Sequence, residues 1–124
     1  MRRKITETEI EWLKSGKDEK NRRRFGKYLI EDKVHELGGE HFQPMFSNGY
    51  GASIVRFDGS YGYPRLFELA VVKGKDWESC SLTYETSITD NVLGYLTEEE
   101  VGKILEKIEA LSPIIVDIEE SEVK

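Results

Sequence analysis

The segment His35-Glu36-Leu37-Gly38-Gly39-Glu40-His41 holds both histidines of the chain, each beside a glutamate. Imidazole and carboxylate are ordinary zinc ligands, so the segment raises metal-assisted hydrolysis as a possible chemistry. The zinc-protease pattern H-E-x-x-H sets two imidazoles one helical turn apart. Here Gly39 stands at the place of the second histidine, and His41 follows six residues after His35. Six residues of helix turn through about 600°, which leaves His41 about 120° away from His35. Gly38-Gly39 is also a natural helix stop. Only a loop folded back on itself would gather His35, Glu36, Glu40 and His41 around one ion. The segment reads as the end of a structural element, and no metal is expected.

Three further groups of residues carry potential chemistry. Arg22-Arg23-Arg24, with Lys27 beside them, suggests phosphate contact. On a helix, however, consecutive side chains point about 100° apart and cannot share one phosphate track. Tyr50, Tyr61 and Tyr63 lie in glycine-rich stretches, Asn48-Gly49-Tyr50-Gly51 and Ser60-Tyr61-Gly62-Tyr63-Pro64. Tyrosine supplies contact area with few rotors to freeze, which suits a protein-binding surface. The competing reading makes them turn residues covering a sheet edge. Neither string is a dinucleotide fingerprint or a phosphate loop, so no nucleotide site follows. Cys80, the single cysteine, reads as a buried strand residue rather than a nucleophile. No pair of carboxylates stands at a spacing that implies acid–base work. The chain therefore reads as a non-enzyme without cofactor.

A chain of 124 residues has room for one core. Charge is uneven: residues 1–37 carry 11 Lys/Arg against 8 Asp/Glu, and residues 38–124 carry 7 against 16, which together make the net −6. An acidic body repels phosphate, so the surface as a whole disfavours DNA and suits a basic protein partner, or plain solvation. One cysteine fits a reducing compartment. The longest apolar run, Leu69-Ala70-Val71-Val72, is far short of a membrane span, and no signal peptide is expected. These features imply a protein of the cytoplasm.

The elements that would position these residues have local signals. Thr6 and Glu9 form a capping box with Ile5 and Ile10 as staple, and Thr97 and Glu100 form another with Leu96 and Val101. Helices are predicted over about 7–15 and about 98–111, the second with a stripe of Val101, Ile104, Leu105, Ile108 and Leu111. Phe25, Tyr28, Leu29, Ile30, Val34 and Leu37 suggest another helix over about 18–37. Between these, period-two patterns predict strands at 51–57, 66–72 and 80–86, the last placing Cys80, Leu82 and Tyr84 on one face. Short links favour an antiparallel meander. Residues 114–118 suggest an extra edge strand, Thr89 and Asp90 a turn, and 119–124 a frayed end. The expected fold is a single α+β domain over 1–124. It comprises an N-terminal helical pair (1–39), then a three-stranded antiparallel meander packed against a C-terminal helix (40–118).

The run NGYGASIVR at 48–56, with SYG at 60–62, FELAVV at 67–72 and TSITDNVLGYLTEEEV at 86–101, resembles a family of small uncharacterised proteins of bacteriophages and prophages. The resemblance covers about half the chain and brings no activity or catalytic residue with it. What it implies is context, a phage-encoded accessory protein acting in the host bacterial cytoplasm. The expectation is a binder of a host protein or protein–nucleic-acid complex, such as an inhibitor of CRISPR or restriction, contacting it through Tyr50, Tyr61 and Tyr63. The alternative is a nucleic-acid-binding or regulatory phage protein using Arg22, Arg23, Arg24 and Lys27.

Overall fold

The computed structural model describes residues 5–88 and 91–114. Both capping boxes form. Glu9 N donates to the Thr6 hydroxyl while Thr6 N donates to the Glu9 carboxylate, opening α1 (Glu7–Lys14). Thr97 and Glu100 open α2 (Glu98–Glu109) in the same way. Each box satisfies two helix-end donors that would otherwise lack intrahelical acceptors.

The segment expected as a second helix is instead a hairpin. β1 (Arg22–Phe25) pairs antiparallel with β2 (Tyr28–Glu31), setting Arg23 opposite Ile30 and Phe25 opposite Tyr28. The two-residue turn between them starts on Gly26 at φ +59°, a backbone state that glycine reaches without a Cβ penalty. Arg23 and Phe25 are buried, whereas Arg22 and Arg24 alternate outward. A buried arginine counts as polar in any hydropathy pattern, so the strand period was hidden. The N-terminal helical pair is therefore corrected to one helix and one hairpin.

β3 (Glu40–Phe42), β4 (Tyr50–Arg56), β5 (Phe67–Lys73) and β6 (Ser81–Leu82) follow as an antiparallel meander. β7 (Leu93–Leu96) also pairs with β5. The expected strands at 51–57 and 66–72 correspond to β4 and β5. The one expected at 80–86 shortens to β6, because β7 takes the remaining length of the same β5 edge. Leu82 and Tyr84 are exposed there, so no apolar face is shared with Cys80. Ile114 donates its N–H to Asn48 O but belongs to no strand. The remainder of the expected edge strand, the turn at Thr89 and Asp90, and the end at 119–124 lie outside the described residues.

The chain is thus α+β with antiparallel sheets. Phe42, Ala52, Ile54, Phe67, Leu69 and Val71 line one face of the large sheet, and Val101, Leu105 and Ile108 of α2 cover it. The helical stripe read from the sequence is the buried one. Phe25 enters from the hairpin, edge-on to Phe42 and Phe67 at 4.9 and 5.1 Å. Among the described residues, no helix is long and apolar enough to cross a membrane.

Candidate functional site

The glutamate of the His/Glu segment goes inward. Glu40 is fully buried, with Oε2 3.0 and 2.6 Å from Arg23 Nε and Nη2 and Oε1 2.7 Å from Arg56 Nε. Lys17 stands 3.5 Å from Glu40 and 2.6 Å from Asp32, and Arg23 also reaches Glu98 at 2.9 Å. Three cations face three carboxylates, which is what burying charge demands. The arginines also hold the C-terminal end of α1. Arg23 donates to Ser15 O and Leu13 O, and Arg56 donates to Trp12 O. Arg56 lies 4.2 Å from the Phe67 ring centroid. Arg23 is therefore a core residue with no surface left for phosphate. Arg22 is tied to Asp18 at 2.7 Å, while Arg24 and Lys27 are exposed.

Both imidazoles do meet, on the opposite face of the sheet. His35 and His41 have ring centroids 5.5 Å apart, His35 stacks on Phe57 at 4.0 Å, and Trp77 meets His41 edge-on. Glu40 points the other way, because neighbours on a strand alternate faces. Among the described residues no group of three or more metal-binding side chains forms. His41 Nε2 lies 3.0 Å from Ser53 Oγ, a serine–histidine contact that invites comparison with acyl-transfer enzymes. The Gln43 side-chain nitrogen, a donor, approaches His41 Nδ1 at 3.3 Å. The imidazole tautomer sets which of the two ring nitrogens donates in these contacts. Burial, aided by the neighbouring His35, holds the His41 pKa below its usual value, with Asp32 opposing.

The tyrosines divide. Tyr50 is half-buried against the core, and Tyr63 is half-buried in the loop between β4 and β5. Tyr61 is 58% exposed, and its ring stacks with that of Tyr95 at 6.2 Å and 21°. Tyr95, on β7, was not among the expected site residues. It is 65% exposed and sits at φ +59°, where a bulky side chain is strained. A Cβ at Gly94 would lie 2.6 Å from Tyr61 Cβ, and one at Gly62 would lie 3.2 Å from Tyr95 Cα. The two glycines thus let the loop and β7 approach closely enough to pair the rings. The motif Leu93-Gly94-Tyr95 carried part of this signal, since glycine next to an aromatic marks a close approach. The Glu68 carboxylate accepts from Tyr61 N at 3.0 Å and is fixed beside the pair. Nearby in the fold, Arg65 lies 4.8 Å from the Trp12 ring centroid.

One cleft of about 440 Å³ lies between Asn48-Gly49, Gly74-Lys75 and Pro113-Ile114. Lys75 is the one titratable side chain among these lining residues. Compared with protein-family models, with curated proteins and with solved structures, the chain matches none.

Proposed function

We propose that the chain is a non-enzymatic, phage-encoded accessory protein that binds a host protein or protein–nucleic-acid complex and so inhibits a bacterial defence system of the CRISPR or restriction kind. The observation that carries the binding reading is Tyr95: a strained, exposed aromatic stacked on a second exposed aromatic. Backbone strain of this kind costs about 1–3 kcal/mol and persists where something other than stability is served. Of the three tyrosines expected as anchors, the reading keeps Tyr61 as primary, adds Tyr95, and gives Tyr50 and Tyr63 supporting places. The phage context comes from the sequence resemblance.

The test is expression in bacteria that carry defined CRISPR or restriction systems. The chain raises phage plating on at least one such strain and retains a component of that system on affinity capture. The double variant Tyr61→Ala/Tyr95→Ala, folded by circular dichroism, does neither. If plating is unchanged on every strain and both forms capture the same host proteins, the reading fails.

A second reading rests on the hairpin. Because β1 is a strand, Arg22 and Arg24 emerge on the same side, a better phosphate track than a helix would have offered. Lys27 at the turn extends it, and Arg23 drops out. This form binds duplex or single-stranded nucleic acid with an affinity that falls steeply with salt. A flat salt response removes it.

A further inference from the structure

Resting on the binding reading, we infer that the partner presents an arginine side chain, and that Tyr61, Tyr95 and Glu68 form the site that takes its guanidinium. Two observations combine. The first is a pair of exposed rings set 6.2 Å apart and nearly parallel. Tyrosine faces carry a negative quadrupole and attract cations, guanidinium above all because it is planar and can lie flat on a ring. The second is a carboxylate held in place next to that surface. Glu68 Oε1 is occupied by the Tyr61 N–H, which fixes the group. One carboxylate oxygen is engaged in this way, and a guanidinium can reach both a ring and the carboxylate at once.

The surrounding charge agrees. The chain carries net −6, and Glu99 lies exposed on the first turn of α2, four residues beyond Tyr95. The nearest cation in sequence, Arg65, is turned onto Trp12. That contact shows the same chemistry in miniature, a guanidinium over an exposed aromatic. An acidic or phosphate-bearing partner would meet Glu68 with like charge. A purely apolar one would leave that carboxylate desolvated without a counter-ion.

The site is tested on the full chain by following backbone amide resonances during titration with a short acetylated, amidated peptide of alternating glycine and arginine. The lysine and glutamine counterparts serve as controls. The arginine peptide is expected to shift Tyr61, Gly62, Gly94 and Tyr95 saturably. It should bind roughly tenfold tighter than the lysine peptide, with no response to glutamine. Tyr95→Ala lowers affinity about tenfold. Glu68→Gln, which keeps an acceptor for Tyr61 N–H but loses the charge, lowers it several-fold and flattens the salt dependence. Equal binding of lysine and arginine peptides, or shifts confined to other acidic surfaces, overturns the proposal. An arginine peptide that does not bind, while Tyr61→Ala/Tyr95→Ala still abolishes host capture, refutes the guanidinium and leaves the binding reading standing. Loss of neither refutes both.

Discussion

Arg56 and Glu40, sixteen residues apart in the chain, meet in the core with Nε 2.7 Å from Oε1, and both side chains are almost wholly excluded from water. Glu40 is also the second glutamate of the His/Glu segment. One of the four residues that a folded-back loop would have gathered around an ion is thus the hub between two buried guanidiniums. Glu40→Gln leaves Arg56 with backbone carbonyl partners but no paired carboxylate, and Arg23 with Glu98 as its remaining one. Breaking a buried pair from one side costs about 3–5 kcal/mol, a large share of the 5–15 kcal/mol typical of a domain. The expected outcome is a urea midpoint lowered by a corresponding amount, with α1 losing amide protection first. Lys17→Met has a smaller effect: it takes the cation from Asp32, but that carboxylate keeps the backbone N–H groups of Val34 and His41 as donors. Equal effects of the two substitutions would contradict this account.

Gly102 packs its backbone directly on the hairpin turn. A Cβ there would stand 2.6 Å from Gly26 N and 2.7 Å from Phe25 C, both backbone atoms that cannot swing away. Replacing a mid-helix glycine with alanine normally gains about 1 kcal/mol. Overpacking against rigid backbone costs about 1–3 kcal/mol or more, and here it wins. Gly102→Ala is expected to destabilise the protein by about 2 kcal/mol in chemical denaturation. A stabilised variant would mean that hairpin and helix are not in contact.

His41 makes stability depend on pH. Its folded pKa lies below the ordinary 6.5, chiefly through burial. Between the two values the unfolded chain binds more protons, so stability rises with pH in that window. The contribution is complete above about 6.5 and is lost as pH falls toward the folded value. Thermal unfolding followed between pH 7.5 and 5 should show a falling midpoint, and His41→Gln should flatten this slope. A slope unchanged by the substitution would assign it to other groups.

Tyr95→Gly separates stability from binding. Glycine adopts φ +59° freely, so the strain at this position is relieved, although the stacked contact with Tyr61 is lost. The two effects are each about 1 kcal/mol and nearly cancel, leaving the unfolding midpoint close to that of the parent. Capture of a host partner nevertheless falls about tenfold or more. A stable variant that still binds would deny Tyr95 its role.

The sequence by itself determined what depends on residues a few positions apart. Thr6 with Glu9 and Thr97 with Glu100 make helix starts wherever they occur, because a capping box is closed within four residues. The Val101, Leu105 and Ile108 stripe and the alternation in β4 and β5 are likewise local and were legible. The glycine-rich setting did not separate Tyr61, which is exposed, from Tyr50 and Tyr63, which are half-buried. Tertiary structure decided the rest. The hairpin at 22–31 was missed because Arg23 is an inward residue only if a counter-charge meets it. Its partners Glu40 and Glu98 lie 17 and 75 residues away. The same kind of distance hid the pairing of Tyr95 with the Tyr61 ring, 34 positions earlier in the chain. Pairing of β3 into the sheet separated Glu40 from His41, since strand alternation sends neighbours to opposite faces. Short-range rules act before the chain has folded back on itself. A buried charge pair, a glycine-to-glycine contact or a stacked pair of rings exists only afterwards.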